Sequence, residues 1–193
     1  MLRYAFSIEA SPYLPIKVQG FIVLSLLCHP HSQRHIYLSL WLGATLCIAI
    51  ALFMQYQMDL IPCALCMTQR VFIIAVGLIA LAAWLHKPQG AGKRAYPILG
   101  MLFAAIGAGF STRHVWLQSL PEDLAPACGP TLGYLLENVP WVEALTVLLQ
   151  GDGNCAESVW SFLGLTIPAW TLVIFIGFFT LNGFILWLSM KQR

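Results

Sequence analysis

Four long apolar stretches decide what this chain can fold into. Each is long enough to cross a hydrocarbon layer of about 30 Å, which takes about 20 residues at a rise of 1.5 Å each. They fall at roughly 36–58, 63–85, 96–117 and 168–190. Ile36 to Met58 carries no charge, and Val71 to Leu85 is apolar throughout once Arg70 is passed. The third is cleanest from Ile98 to Phe110 and turns polar at Ser111, Thr112, Arg113 and His114. The fourth opens at Pro168, a residue suited to a first helical turn, and closes before Lys191. Runs this long and uniform suit helices, because barrel strands alternate apolar with polar positions. With 59% hydrophobic and only 9% charged residues among 193, the composition also leaves the soluble class. The expected fold is an all-α membrane protein, a four-transmembrane-helix antiparallel bundle with one long loop, about 118–167, between the third and fourth helices.

The net charge of +2 conceals a segregation. Arg3, Lys17 and Arg34 precede the first span, Lys87, Lys93 and Arg94 lie between the second and third, and Lys191 and Arg193 follow the fourth. These share one side, which the positive-inside rule makes cytoplasmic. Asp59, Glu122, Asp123, Glu137, Glu143, Asp152 and Glu157 all fall on the other side, leaving only Glu9 with the cations. Both termini are therefore expected in the cytoplasm, with the lipid bilayer as a partner and nucleic acid not. Residues 1–34 read as an N-terminal extension, cytoplasmic or interfacial, ahead of a membrane domain at 35–193. Val18 to Cys28 resembles the centre of a signal peptide, but it is too short to span and no small-residue cleavage site follows cleanly.

This topology sorts the six cysteines. Cys63, Cys66, Cys128 and Cys155 lie outside, where disulfides form and persist, whereas Cys28 and Cys47 read as small reduced or buried side chains. Loops as long as 118–167 are usually functional. Within it, Pro126 to Pro130 holds Cys128 in a helix-hostile setting. Tyr134 to Leu149 interleaves aromatic and aliphatic residues with Glu137 and Glu143, which suits either the membrane surface, with Trp141 at headgroup level, or packing on the bundle. Gly151 to Asn154 forms a turn that presents Cys155.

Cys63 and Cys66 form a Cys-x-x-Cys pair at the mouth of the second span, with Arg70 four residues beyond the second cysteine. Thiol exchange needs a thiolate, which a helix start or a neighbouring cation favours, and Pro62 fits a helix start. In a helix, Cys66 and Arg70 face the same way, their β-carbons about 5–6 Å apart, with Cys63 on the same face. An arginine inside an apolar layer is costly and suggests function, the plainer reading being an anchor that snorkels to the surface. His114, at the outer end of the third span, lies at a similar depth. A metal is not expected. Cys128 and Cys155 are single cysteines far apart, unlike a zinc ribbon, Met67 stands where a c-type haem site has histidine, and iron–sulfur spacing is absent. A dithiol relay uses all four external cysteines.

Taken together, these residues resemble the disulfide bond formation protein B (DsbB) family, the quinone reductases of bacterial inner membranes. The likeness rests on Cys63-x-x-Cys66 with Arg70, on His114 with Leu117 and Gln118, on Cys128, and on the run Gly153, Asn154, Cys155, Ala156 and Glu157. It continues through Phe162 to Leu165, Pro168 and Trp170, covering about residues 36–190. The resemblance implies a protein-disulfide oxidoreductase with periplasmic cysteines. Cys63–Cys66 would be the membrane-proximal redox disulfide, and Cys66 the thiolate that engages a quinone, ubiquinone or menaquinone, whose head Arg70 and His114 bind. It also implies that Cys128–Cys155 is the loop disulfide, attacked at Cys128 by a DsbA-like partner of thioredoxin fold. Cys155, once released, can attack the membrane-proximal disulfide, most simply at Cys63. A helical adaptor or channel whose external disulfides merely staple the loop is the alternative. A vitamin K epoxide reductase-like enzyme fits less well, since that family typically carries its Cys-x-x-Cys in a late helix.

Overall fold

The computed structural model describes residues 30–60, 62–121, 137–143, 146 and 160–191. Cys28, Cys128, Cys155 and nearly all of the extension at 1–34 lie outside the described residues. Among the described residues, four long helices run α1 Pro30–Gln57, α2 Ala64–His86, α3 Gly92–Gln118 and α4 Ile167–Lys191. A small hairpin of β1 Ser161–Phe162 and β2 Leu165–Thr166 immediately precedes α4. All four helices are long and apolar enough to cross a membrane. At 1.5 Å per residue, the 23 residues of α2 reach about 35 Å.

Two helices start earlier than the apolar runs predict. Residues 30–34, assigned above to the extension, are the first residues of α1, and Arg34 lies 4.8 Å over the ring of Trp84 from α2. Helix α3 begins at Gly92 rather than 96, taking Lys93 and Arg94 into its first turn. Pro97 does not prevent this, because so close to the helix start it removes only the bond to the carbonyl four residues back. In both cases polar residues extend a helix beyond its apolar centre.

Neighbouring helices pack in chain order, and the closest approach is between α3 and α4. It depends on a face of small or compact residues on α3, Gly100, Ala104, Gly107 and Ser111, where Ala104 and Ser111 are fully buried. A β-carbon on Gly107 would stand 2.3 Å from the ring of Phe175, and one on Gly100 would stand 2.5 Å from Asn182 Oδ1. Small faces let backbones approach where lipid, as apolar as leucine, offers no hydrophobic drive to associate. Asn182, itself buried, donates from Nδ2 to the Phe178 carbonyl at 2.8 Å. Between α1 and α2, Gly77 lies against Ala44, and Tyr37 and Leu40 join Ile73, Val76 and Ala80 in the core. Phe72 ties α2 to α3, with ring centroids 5.4 Å from Phe110 and 6.1 Å from Phe103.

Large apolar side chains also cover the outside. Leu46, Phe53, Val71, Leu78, Leu102 and Ile176 are each more than half exposed, the surface of a bundle solvated by lipid. Helices α1 and α4 share one apolar core, in which Phe178 of α4 comes up against Gly43 of α1.

Candidate functional site

The α1–α2 turn sets the dithiol at one end of the bundle. Asp59 takes a left-handed conformation, φ 51°, after the end of α1, and the chain then enters α2 through Cys63. Cys63 is the N-cap. Its backbone is extended, and its sulfur accepts a hydrogen bond from the backbone N–H of Cys66 at 3.4 Å, satisfying a donor that every helix start leaves open. Helix α2 therefore begins one residue after its first cysteine, and Pro62 stands just outside it. The structure holds the pair as a dithiol.

The cap keeps the two sulfurs within 4.8 Å of one another. Cys66 and Arg70 line the same cavity, and Cys63 stands beside it, outside the lining. The Cys63 sulfur meets Nε2 of His114 from α3 at 3.8 Å. His114 is almost wholly buried, and its Nδ1 lies 3.2 Å from Nε2 of Gln69, also buried. In this amide orientation Gln69 donates to Nδ1, which leaves the ring proton on Nε2 facing the Cys63 sulfur. Leu65 and Leu117, both fully buried, seal this corner.

Cys66 and Arg70 line a cavity of about 380 Å³ between α1, α2 and α4. Its walls are mostly apolar, and Trp160, Phe162 and Trp170 border it on the side of the hairpin and α4. Phe162 lies between the two tryptophans, with ring centroids at 6.0 Å and 6.3 Å. The hairpin that carries it turns through Leu163 and Gly164, both at positive φ, and Trp170 Nε1 donates to the Phe162 carbonyl at 3.1 Å. Arg70 is pinned by α1: Nη1 donates to Gln55 Oε1 and Nη2 to the Ala51 carbonyl at 3.1 Å. Both acceptors are neutral, and they hold the half-buried guanidinium at the cavity wall. Gln69 lines the cavity too, so His114, which does not, stands one side chain behind it.

A family model described as disulfide bond formation protein DsbB matches residues 33–185. The chain belongs to the DsbB family. The disulfide bond formation protein B of Saccharophagus degradans is 48% identical over 161 residues, spanning 83% of this chain and 95% of that protein. That of Hahella chejuensis is 50% identical over 147 residues, 76% of this chain and 89% of its own. That of Nitrosococcus oceani is 50% identical over 139 residues, 70% and 82% respectively. The expected architecture, a multi-pass helical protein of this family, is therefore established, and with it an oxidoreductase role in disulfide bond formation.

Of the site residues read from sequence, Cys63, Cys66, Arg70 and His114 come together at one end of this DsbB-family bundle, while Cys128 and Cys155 lie outside the described residues. Gln55 and Gln69 escaped the sequence reading. Both are uncharged polar residues within or at the end of apolar spans, the signal that could have marked them. In the described part of the 134–149 stretch, Trp141 and Val142 are 77% and 64% exposed.

Proposed function

We propose that this protein re-oxidises a periplasmic DsbA-like thiol oxidase of thioredoxin fold, passing electrons through Cys128–Cys155 and Cys63–Cys66 to a membrane quinone. The observation that carries this reading is that Cys66 and Arg70 share one apolar cavity between α1, α2 and α4. The cavity suits a flat ring bearing carbonyl oxygens. Its volume lies within the usual range for small-ligand sites, about 300–1,000 Å³, its walls are largely apolar and aromatic, and its cation brings N–H donors. Ubiquinone and menaquinone share that chemistry. The basic residues Arg34, Lys87, Lys93 and Arg94 at the far end support, by the positive-inside rule, an orientation with that end and the extension in the cytoplasm and the dithiol in the periplasm of a bacterial inner membrane.

The chain's own residues do the following. The partner's thiolate attacks Cys128, breaking the loop disulfide and releasing Cys155 as thiolate. The partner's second thiol displaces Cys128, so the partner leaves oxidised. Cys155 attacks Cys63, freeing Cys66, and Cys128 then attacks Cys155, restoring the loop disulfide and returning Cys63 as a thiol. Two electrons have moved from the partner to the Cys63, Cys66 pair. A bound quinone supplies an acceptor for those two electrons and two protons, so that the pair's disulfide re-forms. Arg70, one helical turn from Cys66 and fixed by Gln55 and the Ala51 carbonyl, would bind and orient the quinone's carbonyl group by hydrogen bonding. His114 donates to Cys63 and reaches the cavity wall through Gln69.

The test is Cys66→Ser. Quinone-dependent oxidation of a reduced dithiol partner by the purified protein should fall to background. Undiminished oxidation removes the relay.

A further inference from the structure

Cys63 Sγ, Cys66 Sγ and His114 Nε2 all lie within 4.8 Å of one another. We infer that the reduced pair, together with His114, is a redox-gated binding site for a zinc-class divalent cation. It serves as a brake on the enzyme rather than as a resident cofactor.

The geometry is close to complete. Zinc bonds of about 2.3 Å to sulfur and 2.0–2.1 Å to nitrogen place tetrahedral ligand atoms about 3.5–3.8 Å apart. Cys63 and His114 already stand at 3.8 Å, and the widest separation in the trio must close by about 1 Å. The charges also balance. Binding deprotonates both thiols and releases two protons, so two thiolates, one neutral imidazole and one divalent ion make a neutral unit at the end of an apolar bundle. No electron is transferred.

Gln69 is the second reason to read a site here. A ligating histidine needs a partner on its other ring nitrogen to fix the tautomer, and Gln69 lies 3.2 Å from Nδ1. Turning its amide end for end makes Oε1 the acceptor from Nδ1–H and frees the Nε2 lone pair for the metal. Three protein ligands leave a fourth position for water. Cysteine spacing alone could not reveal this set, since His114 is 51 residues from Cys63 in sequence.

The gate follows from the chemistry. A disulfide offers no thiolate, so only the reduced form binds, and a bound ion occupies both sulfurs that must rejoin. Binding needs neither quinone nor partner protein, so the site stands or fails independently of the relay, while its action as a brake rests on that proposed relay.

The experiment uses the full chain in nanodiscs, with Cys128→Ser and Cys155→Ser so that the loop thiols do not compete. The protein is reduced with a phosphine and titrated with Co²⁺, then Zn²⁺. One tetrahedral, thiolate-ligated Co²⁺ per chain is expected, displaced by Zn²⁺ and absent from the oxidised protein. Gln69→Leu should weaken binding about tenfold, and His114→Gln, which keeps a polar side chain, at least as much. Wild-type affinity in His114→Gln, or equal binding by the oxidised protein, overturns the site. X-ray absorption at the zinc edge of the unsubstituted trio keeps the question open to refutation if a variant misfolds. Two sulfurs with one imidazole support the site, and a shell lacking the imidazole rejects it.

Discussion

Arg70→Ala separates the two half-reactions of the proposed cycle. The guanidinium is the cation among the residues lining the cavity, and α1 holds it there through Gln55 and the Ala51 carbonyl. A hydrogen bond involving a charged group contributes about 1.5–3 kcal/mol. Since about 1.4 kcal/mol is tenfold in an equilibrium constant, loss of one such bond to a quinone oxygen should raise the apparent quinone KM about 10- to 150-fold. The fold should survive. The alanine gives up two tethers to α1, but it also removes an intramembrane arginine whose insertion costs about 2.5–3.5 kcal/mol near a span's centre. These effects oppose each other, so the melting temperature in detergent should move little. The assay varies a soluble quinone analogue at fixed reduced partner, then the partner at fixed analogue. Only the first KM should change, and Arg70→Lys should fall between, since an ammonium lacks the fork that reaches two acceptors. An unchanged quinone KM, or equal damage to both half-reactions, refutes the assignment.

Two further substitutions probe the frame around the site. Gly107→Ala places a methyl 2.3 Å from the Phe175 ring and should cost about 1–3 kcal/mol as α3 and α4 part, read as a lower melting temperature. An unchanged melt contradicts the close approach. Trp170→Phe removes the hydrogen bond to the Phe162 carbonyl, worth about 1 kcal/mol, and loosens the hairpin beside the cavity. The quinone KM should rise a few-fold with the partner step untouched, and a change confined to the partner step counts against the hairpin's role.

The helices were legible because membrane spans write themselves as long apolar runs, and their centres fall where those runs are. Their starts were less so, since Arg34 packing on Trp84 and Lys93 in the first turn of α3 extend helices into polar sequence. The Cys66 and Arg70 pairing followed from helical periodicity and places both on one cavity. The capping role of Cys63 did not follow, because a cap is decided by a single extended residue that periodicity ignores. Nor could sequence join Gln69 to His114, or Gln55 to Arg70, since each pair bridges two helices whose relative rotation is set by packing. The small face at Gly100, Ala104 and Gly107 was not read from the sequence, since only the packing of Asn182 and Phe175 reveals what it accommodates.

The cavity lined by α1, α2 and α4 lies within helices long enough to cross a membrane, which bears on how the protein would meet the quinone proposed above. A ligand arriving sideways from lipid is drawn from a two-dimensional reservoir, in which a hydrophobic carrier is concentrated far beyond its level in water. A modest grip on the ring is then enough for occupancy, and tight binding would only delay departure of the product. The relevant affinity is a ratio of carrier to amphiphile. A KM expressed per litre of solution should drift with the amount of detergent added, whereas one expressed per mole of detergent or lipid should hold constant.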